Sequence, residues 1–259
     1  MTDIQDHDNM NAQKLASDAD GELAEIDRPA EFIVEHGTGE VMVDDPSSYR
    51  FSRKLTVLSD PSGVQSSAVG ALRNHLSQQH LGLGRRSLAI CSVGDDVNRT
   101  LVSANLAIAA SQAGASTMLI DANLRRPELE NYFTPPMDQP GLGDYLAGTI
   151  QSPGEIIRSD VLPNLSLIHA GSLPADPQAL LSGRRFDDLI TGLMRSYDFT
   201  IVDCPSARLS SDARRVASVV RYALIVVKRD VTYINDVKRL IEELTSDRVT
   251  VIGTFLNVG

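Results

Sequence analysis

The chain has 259 residues, 42% of them apolar, which is enough for the core of one α/β domain of ordinary size, and a formal charge of −10. The acidity is confined to one end: residues 1–50 carry 13 Asp and Glu against 3 Lys and Arg, and the remainder balances at 21 of each, so the net count offers no basic excess for duplex DNA. No run of about 18 apolar residues is present, the start lacks the order of a secretion signal, and the two cysteines, Cys91 and Cys204, sit inside apolar runs, which together predict a cytosolic protein with two reduced, buried thiols.

The first segment is rich in Asp, Glu, Asn, Gln and Ala and shows no sustained apolar period. It cannot bury enough surface to offset the entropy of ordering, so residues 1–55 are expected to be a disordered acidic tail and residues 56–259 the folded domain. From about residue 60, apolar runs of four to seven residues alternate with segments of helical period, the pattern of a mainly parallel sheet wrapped by helices in a doubly wound, three-layer α/β domain. The strands are predicted at 87–93, 116–121, 165–170, 199–203, 223–228 and 249–256. The helices are predicted at 64–80, 100–113, 141–147, 177–196, 211–220 and 232–246, with Asp176, Ser210 and Thr232 as N-caps.

The stretch SVGDDVNRT, Ser92 to Thr100, joins the first strand of that set to a helix opening on Thr100. In that geometry backbone N–H groups and the helix dipole can face an anion. Downstream, LIDANLRRP ends a strand in Asp121 with Arg125 and Arg126 just past its tip, and YDFTIVDCPS ends a second strand in Asp203. Two carboxylates at strand ends beside a strand-loop-helix turn can hold Mg²⁺ and a bound water near phosphates. Each taken singly could equally cap the following helix.

These residues carry a family resemblance. From about Ser66 to Asn257 the chain resembles the bacterial tyrosine kinases (BY-kinases) of capsule and exopolysaccharide assembly, a branch of the P-loop ATPases that also includes the partition and septum-site proteins. LIDANLRRP stands where that family has LIDADLRRP, GLGDYLAG (Gly141 to Gly148) where it has GLSDVLAG, LPADPQALL (Leu173 to Leu181) where it has PPNPAELL, YDFTIVDCPS where it has YDYVIIDTPP, and GTFLN (Gly253 to Asn257) where it has GVVLN. The resemblance implies a P-loop NTPase-like fold. For an active member it also implies ATP and Mg²⁺, with Gly94, Asn98, Arg99, Thr100 and Arg125 around the phosphates, Thr100, Asp121 and Asp203 at the metal, and Asp121 and Asp203 as the catalytic acids.

Several positions depart from the family pattern. The family's Gly-Lys-Ser/Thr falls on Asn98, Arg99 and Thr100, and its glycine-rich turn falls on Asp95, Asp96 and Val97. Glycines there allow positive φ and let N–H groups reach phosphate oxygens, whereas two aspartates put like charge where a triphosphate would sit. At about 4 Å each such charge costs roughly 1 kcal/mol in water and several in a drier site. Arg99 keeps a positive charge, but as a planar fork rather than a point ammonium. Asn123 replaces the family's second acid. The oligomerisation pattern E-x-x-R-x-x-R falls on Ser67, Gly70 and Arg73, leaving only the last arginine and an expectation of weakened self-association. No tyrosine cluster follows Gly253 to Asn257 before the sequence stops at Gly259. The expectation is a non-catalytic, regulatory relative with no cofactor, cytoplasmic or peripheral at the inner membrane face through a membrane-embedded polysaccharide co-polymerase, without nucleic acid. Arg73 and Arg126 are expected partner contacts, with the basic points Arg125, Arg184 and Arg185 as further candidates for that contact. The alternatives are an active ATP-dependent tyrosine autokinase or ATPase, and a partition- or positioning-type ATPase.

Overall fold

Apolar runs bounded by turns form strands buried on both faces, because parallel strands need helical crossovers that cover the sheet. A computed structural model describes residues 40–41, 49–95, 97–208 and 210–257. Most of the predicted acidic tail, Asp96 and Gly259 lie outside the described residues. All described residues belong to one unit, Ile33–Gly259.

In chain order the elements are β1 (Glu40–Val41), β2 (Arg50–Ser52), α1 (Thr56–Ser59), α2 (Val64–Gln79), β3 (Ser87–Ser92), α3 (Arg99–Gln112), β4 (Thr117–Asp121) and β5 (Phe133–Thr134). There follow α4 (Leu142–Ala147), β6 (Arg158–Leu162), β7 (Leu165–Ile168), α5 (Pro177–Ser182), α6 (Arg184–Ser196), β8 (Phe199–Asp203), α7 (Asp212–Val220), β9 (Tyr222–Lys228), α8 (Ile234–Ser246) and β10 (Thr250–Asn257). The main sheet has seven strands in the order β10-β9-β3-β8-β4-β7-β6. Every pairing in it is parallel except β6 with β7. This is the doubly wound, mainly parallel α/β architecture that the periodicity predicts.

Alternate residues of the central strands feed two cores. Leu88, Ile90, Leu119 and Ile201 pack with α1, α2 and α3, while Ala89, Cys91, Met118 and Ile120 pack with α4 to α8. The alternation follows from side chains pointing to opposite faces at each step of a strand. Helix α3 is buried along almost its whole length, and its small residues Ala104, Ala107, Ala109 and Ala110 let it lie close to the sheet. Cys91 and Cys204 are free thiols, both fully buried, as their apolar runs predict.

Three local features differ from the sequence reading. The predicted helix over 177–196 is broken at Gly183, whose extended ψ of 154° separates α5 from α6. Asp176 does cap α5, its side chain accepting the N–H of Ala179 at 3.0 Å. Ser210 and Thr232 do not occupy the N-cap positions, which fall on Ser211 and Tyr233. The Thr232 hydroxyl instead accepts the N–H of Lys228 at 3.0 Å, closing the turn after β9. The residues just before 56 are folded: β2 joins β1 and β5 in a small antiparallel sheet, and the ring of Phe51 meets that of Phe133 edge-on at 6.0 Å.

The GLGDYLAG run builds a tight structural joint. Asp144 accepts the N–H groups of Gly141 and Ser172 at 2.8 and 3.1 Å, tying the start of α4 to the loop after β7. A Cβ on Gly141 would lie 2.3 Å from the carbonyl oxygen of His169, so only glycine allows that approach.

Candidate nucleotide site

β3, β4 and β8 all end at the same edge of the sheet, the edge where ligands of open α/β sheets bind. The register sets Asp121, the last residue of β4, level with Asp203, the last residue of β8. Beside them the chain leaves β3 at Ser92 and enters α3 at Arg99. Asn98, just before the helix, takes a left-handed conformation with φ of 55°, which asparagine tolerates better than most side chains. A Cβ at Gly94 would meet open space, so the geometry makes no demand for glycine there.

Arg99 opens the helix and points inward; it is 3% exposed. Its Nε donates to Asp203 Oδ1 at 2.9 Å and its Nη2 to Asp203 Oδ2 at 3.3 Å, a two-pronged pairing. The remaining Nη1 donates to the Ser92 hydroxyl at 3.2 Å. Thr100 Oγ1 donates to Asp203 Oδ2 at 2.7 Å and Ser103 Oγ to Asp203 Oδ1 at 2.8 Å. Asp203 thus receives four donors, about the number of lone-pair sites a carboxylate offers. Burial works against the Arg99 charge, but the facing Asp203 carboxylate outweighs it and raises the pKa.

Asp121 does different work. Its oxygens accept the N–H groups of Asn123 at 2.9 Å, Glu128 at 3.2 Å and Leu129 at 3.1 Å, folding the loop after β4 back onto the strand end. Burial, and secondarily the negative charge of Asp203, push its carboxyl up to about 7, with the backbone hydrogen bonds and Arg99 pulling the other way.

Of the residues singled out from sequence, Arg99, Thr100, Asp121 and Asp203 are brought together. Arg125 turns away to Asp212 at the start of α7, Nε to Oδ2 at 2.6 Å. Arg126 reaches Asp95 in the loop at 3.4 Å. Asn123 holds its own turn, its amide bonded to the carbonyl of Arg126. Arg73 lies on α2 and donates to Asn74 Oδ1. Arg184 pairs with Asp188 one helical turn on, at 3.6 Å, while Arg185 lies over the ring of Tyr145 at 4.5 Å and donates to the carbonyl of Ile150.

Three contributors are missing from the sequence reading. Ser103 lies one turn beyond Arg99 on the same helix face, which an i, i+4 reading of RTLVS could have flagged. Ser92 is the last residue of β3, and Asp212 is an acid in the first turn of α7. A cavity of about 240 Å³ opens past Val93, lined also by Ala207, Arg208, Asp236 and Arg239; neither Arg99 nor Thr100 borders it.

The fold is that of the P-loop NTPases: a septum-site-determining protein MinD from Pyrococcus horikoshii superposes with a TM-score of 0.57 at 22% identity, over 66% of this chain and 70% of that one. The relationship narrows with the kinase domain of the Escherichia coli tyrosine kinase ETK, at a TM-score of 0.75 and 29% identity over 79% of each chain. The tyrosine-protein kinase CpsD of Streptococcus agalactiae is 30% identical over 187 residues, 72% of this chain and 80% of that protein. The chain belongs to the bacterial tyrosine kinase family. A putative tyrosine-protein kinase EpsB of Ralstonia solanacearum is 28% identical over 220 residues, and the match covers 85% of this chain but only 28% of that longer protein. No protein-family model matches the chain. Among the described residues no helix is long and apolar enough to cross a membrane.

Proposed function

We propose that this chain is a non-catalytic member of the bacterial tyrosine kinase family that serves capsule or exopolysaccharide assembly, and that its nucleotide site is filled by its own Arg99. The observation that carries this reading is the two-pronged Arg99–Asp203 pair, buried together with the Thr100 and Ser103 hydroxyls. As arranged, these residues do not fit Mg²⁺ and ATP. Asp203, the acid expected at the metal, is saturated by four donors, and the Thr100 hydroxyl is one of them. The loop adds the charge of Asp95 where phosphate oxygens would lie, and the expected phosphate ligand Arg125 is held by Asp212. On this reading the fold is retained for contact with a membrane-embedded polysaccharide co-polymerase, through surfaces that include Arg73 and Arg126.

The test is calorimetric titration of the full chain with ATP and Mg²⁺. No heat of binding is expected at millimolar nucleotide, nor any thermal stabilisation. Exchanging Asp95 and Asp96 for glycine together with Arg99→Lys should restore binding if the loop alone removed it. Micromolar binding to the unaltered chain, lost in Thr100→Ala, would reject the proposal in favour of an active ATP-dependent kinase, the reading favoured by the retained cluster of Thr100, Asp121 and Asp203. Recovery of no co-polymerase from native membranes with the tagged chain would reject the partner.

A further inference from the structure

The amino ends of the parallel strands carry a second group of arginines. Arg86 immediately precedes β3, Arg221 immediately precedes β9, and Arg248 lies two residues before β10. These three strands are neighbours, in the order β10-β9-β3. Thr250 N–H bonds to the carbonyl of Arg221 at 2.9 Å, and the pairing of Ala89 with Ala223 sets Ser87 level with Arg221. With strands about 4.8 Å apart, the three arginines form a row roughly 10 Å long. Arg85 joins it from the same turn, its guanidinium 5.1 Å above the ring of Tyr222.

No carboxylate lies within ion-pair distance of Arg85, Arg86, Arg221 or Arg248 among the described residues. The acids nearest in the chain are engaged elsewhere: Asp247 holds Arg214 with two contacts of 2.6 and 2.8 Å, and Asp198, at the foot of β8, accepts the N–H of Ser116. Two of the arginines also sit in left-handed backbone, Arg221 at φ of 78° and Arg248 at 62°, at helix ends where glycine or asparagine is the usual occupant. Leu83, on the turn leading into Arg85 and Arg86, is 63% exposed.

We infer that this edge of the sheet docks on a bilayer surface bearing anionic phospholipid. Carried on three neighbouring strands, with Arg86, Arg221 and Arg248 exposed and Arg85 half-buried, these arginines spread positive charge along an open edge, which suits a surface of phosphates better than one enclosed anion. The neighbouring exposed Leu83 adds an apolar contact suited to a bilayer interface. Arginine near an anionic leaflet contributes about fivefold in affinity per residue, so four give weak, salt-sensitive attachment, with Leu83 adding to it. This edge lies opposite the Arg99–Asp203 site and does not depend on whether that site takes nucleotide.

The test is sedimentation of the full chain with vesicles of phosphatidylcholine containing phosphatidylglycerol, at low ionic strength. Binding is expected there and not on phosphatidylcholine alone, falling as salt is raised. Arg221→Asn with Arg248→Asn, both compatible with left-handed backbone, should weaken it about thirtyfold, and Leu83→Gln should weaken it separately. Absence of binding to the anionic vesicles, equal binding to phosphatidylcholine alone, or affinity unchanged in the double arginine variant overturns the inference. Displacement by inorganic phosphate or by a short DNA duplex at the same ionic strength also overturns it, in favour of a single-anion or nucleic-acid site.

Discussion

At the carboxyl ends of the strands Arg99, Arg125 and Arg126 each meet a carboxylate, those of Asp203, Asp212 and Asp95, whereas at the amino ends Arg86, Arg221 and Arg248 meet none among the described residues. The same residue type therefore does opposite work at the two edges of one sheet. At the carboxyl edge each of these arginines is paired with an acid of its own chain. At the amino edge it is held out to solvent, twice in a backbone conformation that does not suit it. A guanidinium turned inward serves the protein itself; one turned outward and left without a partner is available to something else.

The largest effect should come from breaking the inward pair. Asp203→Asn keeps the shape of the side chain but leaves the buried Arg99 without its counter-charge. A loss of about 3–5 kcal/mol in stability is expected, lowering the melting temperature by about 10 °C. Adding Arg99→Met to that variant removes the stranded charge and should return most of the loss, because a buried ion pair can be replaced by apolar groups at small cost. Urea unfolding of the two single variants and the double one measures this. If the two losses simply add, the residues are not coupled and the view of a closed site fails.

How much of this was legible beforehand depends on the range of the interaction. The strands β3, β4, β7, β8 and β9 are readable because each is an apolar run with a buried centre, β10 is readable from its apolar run although it lies at the edge of the sheet with no residue fully buried, and the strand-end acids Asp121 and Asp203 are readable from position. β6 was not predicted, because its sequence, RSDVL, is that of a polar edge strand with few apolar residues. The two-residue strands β1 and β5 are too short to show a period. The pairing of Arg99 with Asp203 joins residues 104 positions apart, so only the register of β3, β4 and β8 reveals it. Sequence placed Asp121 and Asp203 as equals. The structure separates them, one serving backbone N–H groups and the other side chains, a difference set by where the loop after β4 folds back.

The carboxyl edge also holds a titrating group whose effect on stability has a definite sign. His169, just past β7, is buried against the ring of Tyr49 at 5.8 Å, and neither ring nitrogen has a hydrogen-bond partner among the described residues. Burial, helped by the nearby Arg158 charge, lowers its pKa from 6.5 to about 4. Between those values the unfolded chain binds a proton that the folded chain refuses, so the contribution is present above pH 6.5 and lost as the pH falls toward 4. At about 1.4 kcal/mol per unit the loss is about 3 kcal/mol. Asp121, raised to about 7, acts in the opposite direction over the same range, since the folded chain there holds a proton that the unfolded chain releases. Subtracting the unfolding curve of His169→Phe, which keeps the ring stack, from that of the unaltered chain cancels the Asp121 contribution and leaves that of His169. A difference that stays constant from pH 7 to pH 4 would contradict the assignment.

The smallest effect has the opposite sign and bears on the outward arginines. If Arg221 and Arg248 were there to stabilise the fold, replacing them should cost stability. Nothing among the described residues gives either an ion pair, and each takes a φ that a residue with a Cβ resists, at 78° and 62°. Replacement by glycine, the residue that enters this conformation most freely, relieves the strain while slightly raising the entropy of the unfolded chain, so asparagine is the cleaner exchange. Arg221→Asn and Arg248→Asn should each leave the chain about 0.5–1 kcal/mol more stable by thermal unfolding. A gain in stability combined with a loss of vesicle binding in the same protein would show that the two positions are held by arginine against the preference of the fold. A loss of stability would mean that the amino edge, like the carboxyl edge, uses its arginines for itself.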